Sequence, residues 1–211
     1  MDSKRNSVLI VGVNTNKQDA YMACRRGEVT RVAHGVYFPL GQQSPGLLQI
    51  MGIRLAKYFF PQSALTHTSA WSRELKNNTA FVGGDYPYKK QVIIDNQALC
   101  IMQSKVQPQL DNEALYTEQP FQDPLGSFTM HCATPELVAI QQMDATKQNM
   151  EKHLNKNEEA QLFRFLLAKY KDRIALLSAL EQVAEMAGKQ SQFERLLKQF
   201  FQRRFTMEGV N

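Results

Sequence analysis

The residues of this chain whose types and spacing could do chemistry begin with Asn16, Lys17, Arg25, Arg26, Arg31 and His34, all inside TNKQDAYMACRRGEVTRVAHGVYF, from Thr15 to Phe38. Guanidinium and ammonium groups at these intervals suit phosphate oxygens, and Arg and Asn side chains can also read base edges. A second group is His67 with Thr66, Thr68, Ser69 and Ser72, an imidazole among hydroxyls that could hold an anion or move a proton. No nucleophile and base at recognisable spacing complete a triad around it, so a satisfied polar cluster is the plainer reading. A third is Tyr86, Tyr88, Lys89 and Lys90, a mixture that can stack on single-stranded nucleic acid and is equally the composition of a hairpin loop. His131 and Cys132 are neighbours on a strand pattern, where side chains alternate faces, and do not share an ion easily. The thiol of Cys24 lies beside Arg25 and Arg26 but on the inward side of a helix pattern, which argues for packing. There is no GxxxxGK[ST] loop, no GxGxxG and no GxSxG elbow. The expectation is a protein that is not an enzyme and has no cofactor and no metal site.

The cations must be positioned by local structure. Thr15 followed by Gln18 fits a TxxQ capping box, which starts a helix at Asn16. Gly27 fits the left-handed residue after a helix, and Arg25 and Arg26 sit where cations complement the helix dipole, which ends it at Arg26. Ala20, Tyr21 and Cys24 form the inward stripe of that helix, leaving Lys17 and Arg25 off it. Val29, Val32, Val36 and Phe38 around Ala33-His34-Gly35 read as a hairpin. Helix plus hairpin is the recognition-helix-and-wing portion of a winged-helix module. Ahead of it, VLIVGV (Val8 to Val13) reads as one buried strand, pairing with the wing or with the following domain.

The string RRGEVTRVAHGVYFP resembles the R-R-G-hydrophobic-R-V-x-x-G-V-Y signature of the AbiEi-type antitoxin and transcriptional-regulator family of abortive-infection toxin–antitoxin systems. FPQSALTHTSAW is similar to that family's segment in which an apolar run leads into a helix carrying Ser or His before Ser-Ala. CATPELVAIQQM is similar to its threonine-proline-glutamate helix start. The resemblance spans roughly residues 15 to 145. It implies a bacterial winged-helix repressor of its own toxin–antitoxin operon, with Asn16, Lys17, Arg25 and Arg26 in a DNA groove and Arg31 and His34 of the wing on the backbone. The chain departs from the family in that Met1 to Asn14 leaves no length for the two helices that ordinarily precede the recognition helix.

Length and composition set bounds on these readings. The 211 residues permit one large domain or two small ones, and a hydrophobic content of 43% is enough to bury a core. A net charge of +5 and a pI near 9.1 favour an acidic partner without demanding one. Cys24, Cys100 and Cys132 are odd in number and far apart, which points to a reducing cytoplasm. No apolar run near the start is long enough for a membrane span.

The remaining pattern alternates element types. Pro39 to Gly46 reads as a linker, Leu47 to Phe60 as a helix with Leu47, Ile50, Met51, Leu55, Tyr58 and Phe59 inward, and Pro61 as its stop. A short helix carries His67, Trp71 and Leu75. Phe81-Val82, Gln91 to Ile94, Leu99 to Met102 and Ser127 to His131 read as strands, with Pro108, Pro120 and Pro124 punctuating a polar stretch between the last two. Thr134, Pro135 and Glu136 start another helix. Asp144 to Asn157 is a hydrophilic gap. Three helices follow, capped in turn by Asn157, closed at Gly188, and begun by a Ser191/Glu194 capping box.

The expected fold class is α+β: a shortened winged-helix-like element over 1–40, a small mixed α/β domain over 47–145, and a helical C-terminal region over 157–205. The expected function is a DNA-binding transcriptional regulator, antitoxin-like, autoregulating an operon with a toxin or effector. Its partners would be double-stranded operator DNA, a toxin or effector protein, and a second copy in a homodimer, with no membrane. The alternative is a protein-interaction or autoregulatory N-terminal module of a longer effector protein, without DNA binding.

Overall fold

The computed structural model describes residues 8–41, 45–84, 91–94, 99–105, 109–144 and 150–207 and is a mixed α+β structure. Tyr86, Tyr88, Lys89 and Lys90 lie outside the described residues.

The first elements are β1 (Leu9–Ile10), α1 (Lys17–Arg25), β2 (Val29–Ala33) and β3 (Val36–Pro39). They form a three-stranded antiparallel sheet of order β1-β3-β2, with Leu9 opposite Tyr37 and Arg31 opposite Tyr37 from the other side. The strand expected from Val8 to Val13 is shorter, because Gly12 turns the chain at a φ of 82°. Asn14 closes that turn: its Oδ1 accepts the Ile10 N–H and its Nδ2 donates to the Val8 carbonyl, both at 2.8 Å. Val8, Ile10, Val36 and Phe38 are buried.

The start of α1 differs from the expected TxxQ box. Asn16, in extended backbone, is the cap, and its Oδ1 accepts the Asp19 N–H at 2.8 Å while the Thr15 hydroxyl donates to the Asn16 carbonyl. Two capping side chains stood in adjacent positions, and the stronger capper took the role. The end follows the expectation. Gly27 adopts a φ of 70°, and the Glu28 and Gly27 N–H groups reach the Ala23 and Cys24 carbonyls at 3.0 Å, a Schellman closure.

The central sheet has six strands in the order β6-β7-β5-β4-β9-β8. These are β4 (Ser63–Leu65), β5 (Thr79–Gly84), β6 (Gln91–Ile94), β7 (Leu99–Lys105), β8 (Tyr116–Asp123) and β9 (Gly126–Ala133). It is mixed: β4 runs antiparallel to β5 but parallel to β9, and β5 runs parallel to β7. The polar stretch before β9 is a full strand, paired with it from Tyr116–Ala133 to Asp123–Gly126. Pro120 is tolerated there because β8 is an edge, where one backbone N–H needs no partner.

One face of the sheet lies under α2 (Pro45–Phe59), an almost wholly apolar helix with Leu48, Met51, Leu55 and Ala56 buried. Ile50, expected inward, is 59% exposed, and Leu48 takes its place. Arg54 of α2 forks onto Asp123 at 2.5 and 2.8 Å, donates to the Gly126 carbonyl at 2.6 Å and lies 4.3 Å over the Phe128 ring. The other face meets α3 (His67–Ser72), whose His67 ring stands 6.5 Å from Phe81.

Helix α4 (Pro135–Gln141) begins as its residues dictate, Thr134 accepting from the Leu137 N–H with Pro135 in the first turn. It packs against α3 and against three long helices, α5 (Lys156–Tyr170), α6 (Arg173–Met186) and α7 (Gln190–Met207). Asn155, not Asn157, caps α5 and forms a complete capping box with Glu158. Helix α7 starts one residue before Ser191, with the Lys189 carbonyl accepting from Gln192 and Phe193, so the Ser191/Glu194 box does not form. Gly188 closes α6 at a φ of 63°. A single hydrophobic cluster runs from Val8 to Leu196, drawing on all three of the intervals 1–40, 47–145 and 157–205. Among the described residues no helix is long and apolar enough to cross a membrane.

Candidate nucleic-acid interface

Helix α1 packs on β2, and its buried side is Ala20 and Ala23. Asn16, Lys17, Arg25 and Arg26, with Arg31 and His34 on the hairpin, are all exposed. They are not equally free. Asn16 is held at both ends of its amide, the Nδ2 donating to Asp19 Oδ2 at 2.7 Å, so its role is the cap. Arg26 forks onto Glu28 at 2.7 and 3.1 Å, and that hydrogen bond with the Glu28 charge raises its pKa. Lys17 and Arg25 carry no ion pair among the described residues.

The expected inward stripe misplaced one residue. Tyr21 is 56% exposed and Met22 44% exposed, while Ala23 takes the buried position. At about 100° per residue, Gln18, Tyr21 and Arg25 then fall along one outward line of the helix, with Lys17 and Met22 to either side. The available signal was steric: Ala20 and Ala23, three apart, permit the close approach to β2 that a tyrosine would prevent.

At the hairpin tip the structure brings Arg31 and His34 together. Arg31 Nη2 lies 3.0 Å from His34 Nδ1 and its Nε donates to the Ala33 carbonyl at 3.2 Å. The guanidinium is therefore anchored along one edge. Behind the tip stands α2: Gly35, at a φ of 73°, leaves space for the Tyr58 hydroxyl, which would be 2.1 Å from a Cβ at that position. Burial, and then the charge of Tyr37, raise the Tyr58 pKa.

The His67 cluster is a different kind of site. His67 opens α3 at a φ of 52°, unusual for a residue with a Cβ, and is 1% exposed. Its Nε2 donates to Asp144 at 3.1 Å, which leaves Nδ1 to accept from the Thr66 hydroxyl at 3.0 Å. Asp144 also takes the Lys189 ammonium at 2.7 and 2.9 Å and the Gln192 amide at 3.0 Å. Burial lowers the His67 pKa against the opposing pull of Asp144. For Asp144, burial favours the neutral acid but is outweighed by His67 and Lys189, which hold the carboxyl well below its usual range. Hydroxyl, imidazole and carboxylate stand in a chain, yet Thr66 is fully buried and His67 nearly so. The arrangement ties α3, the end of α4 and the α6–α7 turn together. Sequence reasoning found His67 but not Asp144 or Lys189, which come from distant elements.

Among the described residues no group of three His, Cys, Asp or Glu could hold a metal ion. Burial pushes the Cys132 thiol up to about 12. A cleft of about 330 Å³ opens between α2, residues 73–75 and the β8–β9 hairpin, with Ile50, Leu75, Phe121 and Phe128 in its lining. No protein-family model matches this chain, and no curated protein matches it.

Proposed function

We propose that the protein binds double-stranded DNA through α1 and the β2–β3 hairpin, and acts as an AbiEi-like, antitoxin-type transcriptional regulator in the cytoplasm, controlling an operon with a toxin or effector. The observation that carries this reading is the outward line of α1, where exposed Gln18, Tyr21 and Arg25, flanked by Lys17, precede a hairpin whose tip presents Arg31 and His34. The order β1-β3-β2, with α1 between the first two strands and the β2–β3 hairpin after it, supports reading this region as a winged helix reduced to its recognition helix and wing. The six-stranded sheet and helices would then carry dimer or toxin contacts.

The test is fluorescence anisotropy of the full chain on duplex DNA from upstream of its own gene, across a salt series. Affinity should fall steeply with salt, and Lys17→Ala/Arg25→Ala should make the slope shallower, since each lost phosphate contact removes about 0.9 from it. Lys17 and Arg25 are the better pair to change, because Arg26 is engaged by Glu28. No binding at low salt refutes the reading.

A second reading, a protein-interaction module without DNA binding, is favoured by one observation: Val13, Tyr21, Met22 and Leu40 are all exposed apolar or aromatic residues in this same region. Exposed groups of this kind mark protein contacts when they cluster.

A further inference from the structure

Resting on that DNA-binding reading, we infer that Gln18 and Tyr21 set the base preference of α1, with Gln18 selecting an adenine. Both residues are exposed and one turn apart on the line that faces away from β2. Gln18 has no part in the helix cap, because Asn16 occupies it. Its amide thus carries a free donor and a free acceptor, the pair that complements adenine N6 and N7 in the major groove. No other exposed side chain of α1 offers a donor and an acceptor on two separate atoms: Lys17 and Arg25 only donate, the Asp19 carboxylate only accepts, Tyr21 has a single hydroxyl, and the capping Asn16 is locked onto Asp19.

Position along the helix fits the same assignment. Gln18 lies in the first turn, the end from which recognition helices reach base edges. Tyr21 is about 4.5 Å further along the axis, between one and two base steps of about 3.4 Å, so its ring meets the neighbouring pair, where a thymine methyl is the apolar feature. Arg25, about 10.5 Å from Gln18 along the axis, is left to the phosphates at the groove edge, with Lys17. Cations that position the helix therefore flank two residues that discriminate, and the two classes separate by mutation.

The experiment is selection of binding sites from a randomised duplex pool with the full-length protein, followed by affinities for the selected duplex and single-base variants. Wild type should return a motif containing an adenine, next to a thymine, whose replacement weakens binding roughly tenfold or more. Gln18→Ala should abolish the adenine preference and Tyr21→Ala the preference beside it. Lys17→Ala/Arg25→Ala should instead lose affinity for every sequence with the motif unchanged, a signature that separates positioning from discrimination. Salt-dependent binding with no motif, or a motif that survives Gln18→Ala and Tyr21→Ala, overturns the inference and leaves duplex binding standing. Absence of binding by wild type at low salt overturns both.

Discussion

The Tyr58 hydroxyl occupies the position a side chain at Gly35 would need: an added Cβ would lie 2.1 Å from the oxygen and 3.2 Å from the ring carbon bearing it. The hairpin tip is thus fitted against α2. Gly35→Ala must combine a positive φ with that overlap, and a loss of about 2 kcal/mol is expected from denaturant unfolding. Gly35→Ala/Tyr58→Phe should lose less than the sum of the single changes, since removing the hydroxyl relieves the closest contact. Strict additivity would show that the tip rests on something else.

Asp144 accepts from His67, Lys189 and Gln192 at once. Asp144→Ala leaves an imidazole N–H and an ammonium facing each other in a mostly buried space, and about 3 kcal/mol of stability should go. Urea unfolding measures it. Because Lys189 caps the junction of α6 and α7, amide exchange in the first turn of α7 should accelerate as well.

The same cluster sets a pH dependence. The folded-state pKa of His67 lies below its ordinary 6.5. Above that pH both folded and unfolded chains are neutral there, and the group gives no slope. As pH falls through 6.5 the unfolded chain takes a proton that the folded one refuses, so stability declines until the folded pKa is passed. Asp144, held below its ordinary 3.8, stabilises the fold above that value, and its contribution is lost as pH falls beneath it. Denaturation midpoints should therefore drop between pH 7 and pH 5 in wild type. The drop should be smaller in His67→Asn, a residue that tolerates the left-handed backbone at position 67.

Cys132 is buried, with its thiol pKa raised to about 12. A colourless-to-yellow disulfide reagent at pH 8 should leave it untouched in the folded protein and reach it only in denaturant, whereas Cys24 and Cys100 are half-exposed. Mass mapping of the modified cysteines checks the order.

Features written in a few adjacent residues were legible in the sequence. Gly27 after Arg25-Arg26 and Thr134-Pro135-Glu136 fix helix ends through local backbone conformation and one capping hydroxyl, and both behave as read. Where two residues competed for one local role, the reading slipped by one or two positions, as with Thr15 against Asn16 and Asn157 against Asn155. Strand β8 escaped notice because its exposed face alternates with a half-buried one of Thr117, Gln119 and Phe121, and because Pro120 speaks against a strand unless the strand is known to be an edge. The outward placement of Tyr21 depended on how closely α1 approaches β2, which no periodicity states. Asp144 and Lys189 join His67 only once α3, α4 and the α6–α7 turn have packed, and nothing near His67 in the chain announces them.

Strand β4 has a kinetic meaning beyond its place in the sheet. It is joined on one side to β5, close behind it, and on the other to β9 in parallel, with Ala64 opposite His131. During synthesis at about 5–20 residues per second, the Leu65 edge therefore waits several seconds for its second neighbour to be made. In that interval the α1 hairpin region is complete, while the middle of the larger sheet offers an unpaired apolar edge to any other nascent chain. Chaperone dependence, if measured on stalled chains, should peak for lengths that end shortly before Ala133 has left the ribosome.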